Sequence, residues 1–159
     1  MNLSSQIADQ FREVQLSGKW VVVTNLKEQL DDLTWEQANI RIGGLNSIAM
    51  LTFHVNYYVA GVLQVLEGGS LDIRDKYSFD MAPITSQEDW DQLRQKAYRD
   101  AERFAELIEQ MSEEKLFSGF VMEKYGNYYR NLLVMIEHSY YHLGQIVLLK
   151  KLILQGYEK

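Results

Sequence analysis

Apolar residues recur at intervals of three and four through most of this chain, the spacing that gives an α-helix one buried face. Leu3, Ile7, Phe11 and Val14 set out a first helix, with Ser4 or Ser5 placed to cap it and Gly18 to stop it. From about Val22 to Leu33, the residues Leu26, Leu30 and Leu33 predict a shorter piece, after which Thr34 reads as a turn or cap. Gly43-Gly44 breaks the pattern. Asn46 then caps a helix running to Gly68-Gly69, a pair suited to a C-terminal stop. Residues 69–85 show no period and contain the chain's single proline, Pro83, so they form a long loop, a feature often tied to function in compact domains. Ser86-Gln-Glu-Asp89 has the form of a capping box with Asp at its last position. The helix it opens carries Trp90, Leu93, Ala97, Ala101, Phe104, Ile108 and Met111 on one stripe and charges elsewhere. Asn127 caps the last helix, which runs to about Leu154 before Gly156. The pattern predicts one all-α domain over 1–159, most simply a four-helix bundle.

The last helix is apolar almost all round. One face carries Val134, Met135, His138, Tyr141, His142, Gln145, Leu149 and Leu152, the other Leu133, Ile136, Tyr140, Leu143 and Val147. A helix of this kind is central or packs against a second subunit. In the helix after Asn46, Val55, Val59 and Leu63 lie opposite His54. A homodimer through these outer faces is therefore expected.

Composition narrows the partners. The net charge of −6, with basic residues interleaved among acids, argues against nucleic acid, whose binding draws its affinity from clustered Lys and Arg. With no cysteine, disulfides and zinc–thiolate sites are excluded. No apolar run of 18 residues or more suggests a membrane span, and the first residues lack a secretory pattern. Cytoplasm is the expected setting.

The candidate chemistry lies in three histidines, His54, His138 and His142. Helical residues i and i+4 share a face about 5–6 Å apart at Cβ, so His138 and His142 are placed to converge on one ion. Their neighbours admit a core role too, because buried imidazoles hydrogen-bonded to a carbonyl or tyrosine are common. Around His54 lie Met50, Leu51, Tyr57, Tyr58 and Gly61, and around the pair lie Asn131, Met135, Tyr141 and Gln145. Such faces, apolar with a few hydroxyl and amide groups, suit a small-molecule pocket in which Gly61 leaves room. Three imidazoles on a divalent metal leave a position for water or substrate, and all-imidazole ligation favours zinc or nickel. Tyr57, Tyr58, Tyr141 and Gln145 are candidates to orient ligands or substrate, although simple packing is the commoner role for each of the tyrosines. No carboxylate shares the histidine face, so a general base would come from Asp72, Asp75 or Asp80 in the long loop.

Several strings together resemble the DinB-like superfamily of metal-dependent four-helix-bundle proteins. They are Gly18-Lys-Trp20, Leu33-Thr-Trp-Glu-Gln-Ala38, Ser47-Ile48 with His54 downstream, Leu66-Glu-Gly68, and the closing His138-x-x-x-His142-x-Gly144-Gln145-Ile146. The resemblance covers most of the chain. It implies a bundle with a long crossover connection, His54, His138 and His142 as metal triad, and frequent dimerisation. It also implies that some relatives transfer low-molecular-weight thiols to electrophiles. The family's name refers to induction by DNA damage, not to DNA binding. Two functions are therefore expected as alternatives: a metal-dependent transferase or hydrolase on a small-molecule substrate, or a non-catalytic, stress-related helical dimer that binds a metal or ligand.

Overall fold

A computed structural model describes residues 2–157. Its long helices are α1 (Leu3–Arg12), which continues as a wider π turn over Glu13–Ser17, and, further along, three straight rods. Between them two short helices, α2 (Leu26–Leu30) and α3 (Trp35–Asn39), close one end. Next come α4 (Ile48–Leu66), α5 (Gln87–Glu109), the short α6 (Glu113–Phe117) and α7 (Tyr128–Leu154). α4 packs on α5 and α7, and α1 packs on the other side of the same two helices.

Two core clusters show how the rods run. One joins Ile7 and Phe11 to the C-terminal halves of α4 and α5 (Val59, Phe104, Ile108) and the N-terminal half of α7 (Leu132, Ile136). The other joins Val14, Leu26 and Leu30 to the N-terminal halves of α4 and α5 (Ile48, Leu51, Trp90) and the C-terminal half of α7 (Leu143, Ile146). So α4 and α5 run in one direction, with α1 and α7 opposed to them. Parallel neighbours cannot be joined by a tight turn, and residues 67–86 accordingly travel back the full length of α4. This is the long crossover. It is held by Gln64 donating to Asp72, Tyr58 to Asp75, Tyr57 to the Arg74 carbonyl, and Asn39 to the Ile84 carbonyl. A single 3₁₀ turn, Asp75–Tyr77, interrupts the otherwise irregular segment.

Local chemistry set most helix ends where expected. Asn127 accepts from the Arg130 amide and Thr34 forms a full capping box with Gln37. Ser86 accepts from the Asp89 amide, while the Asp89 carboxylate reaches one residue further back, to Thr85. Other ends differ. Asn2, not Ser4 or Ser5, caps α1, because Ser4 is buried and donates to the Met111 carbonyl across the bundle. Ser47, not Asn46, caps α4. The piece expected from Val22 to Leu33 shrinks to α2, since Asn25 caps it by accepting from Glu28. On α5 the buried stripe swings to Arg94 and Tyr98, leaving Leu93 and Ala97 half-buried. Both polar residues bond Asp31 at the end of α2, which pairs the Tyr98 hydroxyl and one Arg94 Nη inside the bundle, while the Arg94 Nε has no partner among the described residues.

The faces expected to pair two subunits are occupied within the chain. Val55, Val59 and Leu63 of α4, with Ile136 and Leu143 of α7, are buried in the two core clusters. A helix apolar all round is here simply central, with α1, α2, α4 and α6 against its sides. α4 is long and apolar enough to cross a bilayer, with a mean hydropathy of 1.3, but 67% of that stretch is buried in the chain's own bundle.

Candidate metal centre

His54 stands midway along α4, and His138 and His142 stand one turn apart on α7, the helix antiparallel to it. The crossing brings the three imidazoles together as the i, i+4 spacing requires. Nε2 of His138 lies 3.2 Å from Nε2 of His54 and 3.0 Å from Nε2 of His142. All three nitrogens fall within 4.8 Å of one another. Zinc–imidazole bonds of about 2.0–2.1 Å in a tetrahedron place neighbouring nitrogens about 3.3 Å apart, so the spacing fits one ion.

The protonation pattern gives the same answer. Gln145 Oε1 lies 2.7 Å from Nδ1 of His142, which makes Nδ1 the donor and leaves Nε2 a lone pair facing the other two rings. Burial pushes the His54 and His142 imidazoles below their usual range. His138 is pushed down to about 4, by burial first and then by the charges of His142 and His54. Nδ1 of His54 and of His138 has no hydrogen-bond partner among the described residues, although the Ser78 backbone sits close enough to favour a proton on His54. Among three neutral rings whose ε nitrogens meet at a point, an Nε2–H of His138 can pair with one neighbour's lone pair but leaves the other nitrogen without a full partner. A divalent cation would take all three lone pairs at once.

Aromatic groups frame the triad. Phe79 of the crossover stacks on His54, ring centroids 4.2 Å apart. Tyr58 sets its ring edge against both His54 and His138, at 5.1 and 5.2 Å, and donates its hydroxyl to Asp75 at 2.9 Å. Burial, then that carboxylate, raises its pKa. Tyr141 packs on His142 at 4.9 Å and is 65% exposed.

Beside Phe79 of the crossover the histidines open into a cavity of about 710 Å³. Its walls include Leu45, Leu51, Phe79, Tyr141, Leu148 and Leu152, with Gln145 beside the metal ligands. Of the residues singled out from sequence, Tyr58, Tyr141 and Gln145 are brought to the triad. Tyr57 is not: one position along the helix, it turns to the crossover, where its hydroxyl donates to the Arg74 carbonyl and accepts from the Arg74 amide. Gly61 leaves no open room either. A Cβ there would stand 2.3 Å from Ile73, so the crossover fills the gap. Among the loop acids, Asp75 reaches the site's edge through Tyr58, whereas Asp72 accepts from Gln64 and Ser70. Phe79 and Ser78 escaped the sequence reading, since a loop residue stacked on a ligand leaves no periodic trace.

No curated protein and no solved structure matches the chain. A family model for the DinB superfamily matches residues 21–146, a span that holds all three histidines and the crossover. With that span and a helical bundle built around them, the chain belongs to the DinB superfamily.

Proposed function

We propose that this protein is a metal-dependent enzyme acting on a small-molecule substrate, with thiol transfer to an electrophile as its reaction. One observation carries the reading: three ε nitrogens converge at the floor of an open, apolar cavity. Three protein ligands leave a position free, which separates a catalytic from a closed structural site. All-imidazole ligation favours zinc or nickel. When bound, such an ion supplies Lewis acidity and lowers the pKa of a water or thiol at its open position.

The chain's own residues do the rest. Gln145 fixes the tautomer and rotation of His142. Phe79 and Tyr58 hold the His54 and His138 rings in place. The leucines of the wall offer an apolar surface to the body of the electrophile. In the transfer the thiol gives up its proton to solvent, its sulfur forms a bond to the electrophilic carbon, and the leaving group departs with the electron pair of the carbon–leaving-group bond that breaks.

Elemental analysis of purified protein should find about one metal per chain, lost in His138→Ala. The chelated protein should keep most of its thermal stability, because a structural metal would contribute directly to folding. An aryl halide with added thiols should turn over only in the loaded protein. Absence of metal, or of turnover across a thiol panel, would overturn the proposal. A second reading, a non-catalytic and stress-related homodimer that binds a metal or ligand, is favoured by the exposure of Leu45, Tyr141 and Leu148 at the cavity rim. Light scattering and the same turnover assay separate the two. A cytoplasmic setting belongs to both readings.

A further inference from the structure

Among the described residues, no charged side chain lines the cavity beside the histidines. Thirteen residues line it, and apart from the three imidazoles its polar side chains are the amides of Asn46 and Gln145 and the hydroxyl of Tyr141. Five leucines (Leu45, Leu51, Leu148, Leu149 and Leu152) and Phe79 supply most of the remaining surface. Of the cations nearest in sequence to this wall, Lys150 donates to the Gln29 carbonyl and to Asp32 across the bundle, and Arg41 turns its Nε–H to the Leu45 carbonyl at 3.1 Å; neither these nor Lys151 lines the cavity. Gln145 spends its oxygen on His142, which leaves its amide N–H groups as donors on the wall.

Away from the metal position, a carboxylate or phosphate laid along such a wall loses its water and finds no ion-pair partner, a transfer that is strongly unfavourable. An apolar body gains by leaving water, and a volume of about 710 Å³ is that of a pocket for a drug-sized ligand. We infer that the site selects a ligand that is uncharged apart from the one head group it offers to the metal: an aromatic or branched aliphatic body lies along the leucines and an uncharged acceptor meets the Gln145 amide. The inference rests on the metal-dependent reading above. It means that thiols bearing several carboxylates are poor ligands unless those groups stay outside the rim.

The test uses the full chain loaded with cobalt(II), whose visible bands report coordination and whose near-ultraviolet absorption reports thiolate binding. Benzyl mercaptan, mercaptosuccinate and glutathione are titrated in turn. Benzyl mercaptan should bind at least about tenfold more tightly than either charged thiol. Equal or reversed affinities would overturn the inference. Leu148 is 58% exposed, so Leu148→Lys should fold normally while adding a cation to the wall. It should weaken benzyl mercaptan and strengthen mercaptosuccinate, and an unchanged ranking would overturn the inference. Failure of cobalt to bind would sink the metal reading instead, and would show as missing visible bands. The cavity is then read in metal-free protein with the neutral dye Nile red, which should bind wild type and lose several-fold in Leu148→Lys. Dye binding indifferent to that substitution would also overturn the inference. So would an affinity that falls as protein concentration rises alongside a dimer in ultracentrifugation, since the leucine rim would then serve self-association.

Discussion

Phe79 lies flat on His54, with ring centroids 4.2 Å apart and planes 9° from parallel. One residue belongs to the crossover and the other to α4, so the connection that solves the topology also orients a metal ligand. Phe79→Ala should loosen the His54 ring and weaken metal binding about tenfold, the lower end of what losing a ligand's supporting group costs. Competition with a chromophoric chelator measures this. Affinity unchanged from wild type would mean that His54 is held by α4 alone.

The hydrogen bond between Gln145 and His142 gives a second expectation. Gln145→Leu removes the acceptor at 2.7 Å and frees the imidazole to rotate or take the wrong tautomer. Metal affinity should fall about 10–100-fold, and Gln145→Glu, which keeps an acceptor, should restore most of it. The contrast between the two variants distinguishes orientation of the ligand from simple loss of packing.

Gly61 is expected to be intolerant for a reason that lies in the crossover. A Cβ at this position would sit 2.3 Å from Cγ2 and 2.9 Å from Cδ1 of Ile73. Gly61→Ala should cost about 1–3 kcal/mol in urea denaturation, as overpacking does. Combining it with Ile73→Ala should recover part of that loss, because the two sites share one volume. Strict additivity would place the strain elsewhere.

Acid should destabilise the metal-free protein through the triad. The folded state holds His138 near 4 and keeps His54 and His142 below the usual imidazole range, burial being the first cause in each case. The unfolded chain takes up protons at about 6.5 while the folded chain does not. Stability is therefore constant well above that value and falls as pH drops from about 6.5 toward 4. Urea midpoints measured with a chelator present should follow this course, and His138→Gln should flatten it. A profile that is level down to about pH 4 would contradict the assigned burial.

Val23 offers a test of stored backbone strain. It adopts a φ of 61°, a left-handed conformation that a β-branched residue rarely takes, in a turn closed by its own amide donating to the Lys19 carbonyl. Val23→Gly should be neutral or stabilising by about 1 kcal/mol, although glycine usually destabilises by enlarging the unfolded ensemble. Thermal denaturation gives the sign. Clear destabilisation would mean that the exposed valine makes contacts worth more than the strain.

Helix ends were legible where one polar side chain had one free amide to accept. Asn127 and Thr34 cap as their positions suggest, and α7 ends at Leu154. Where two cap residues stand side by side, as at Asn46 and Ser47, spacing cannot choose between them, and it is Ser47 whose hydroxyl accepts from the Met50 amide. The short α3 and α6 carry too few residues for a period to stand out. Tyr57 and Tyr58 looked alike in sequence, yet about 100° of helical rotation separates them. That rotation sends one to the Arg74 backbone and the other against the histidines.

By itself the sequence determined the four long helices, the all-α class and the three candidate ligands, because these depend on periodicity and on i, i+4 spacing along single segments. Only the tertiary structure decided that α4 and α5 run parallel, which forces residues 67–86 back along α4 and sets Phe79 on His54 and Ile73 against Gly61. It also decided that the apolar outer faces of α4 and α7 are core. The physical reason is that helix direction and loop placement follow from which apolar faces can close on one another. That choice is settled by packing between segments far apart in sequence, and no local pattern records it.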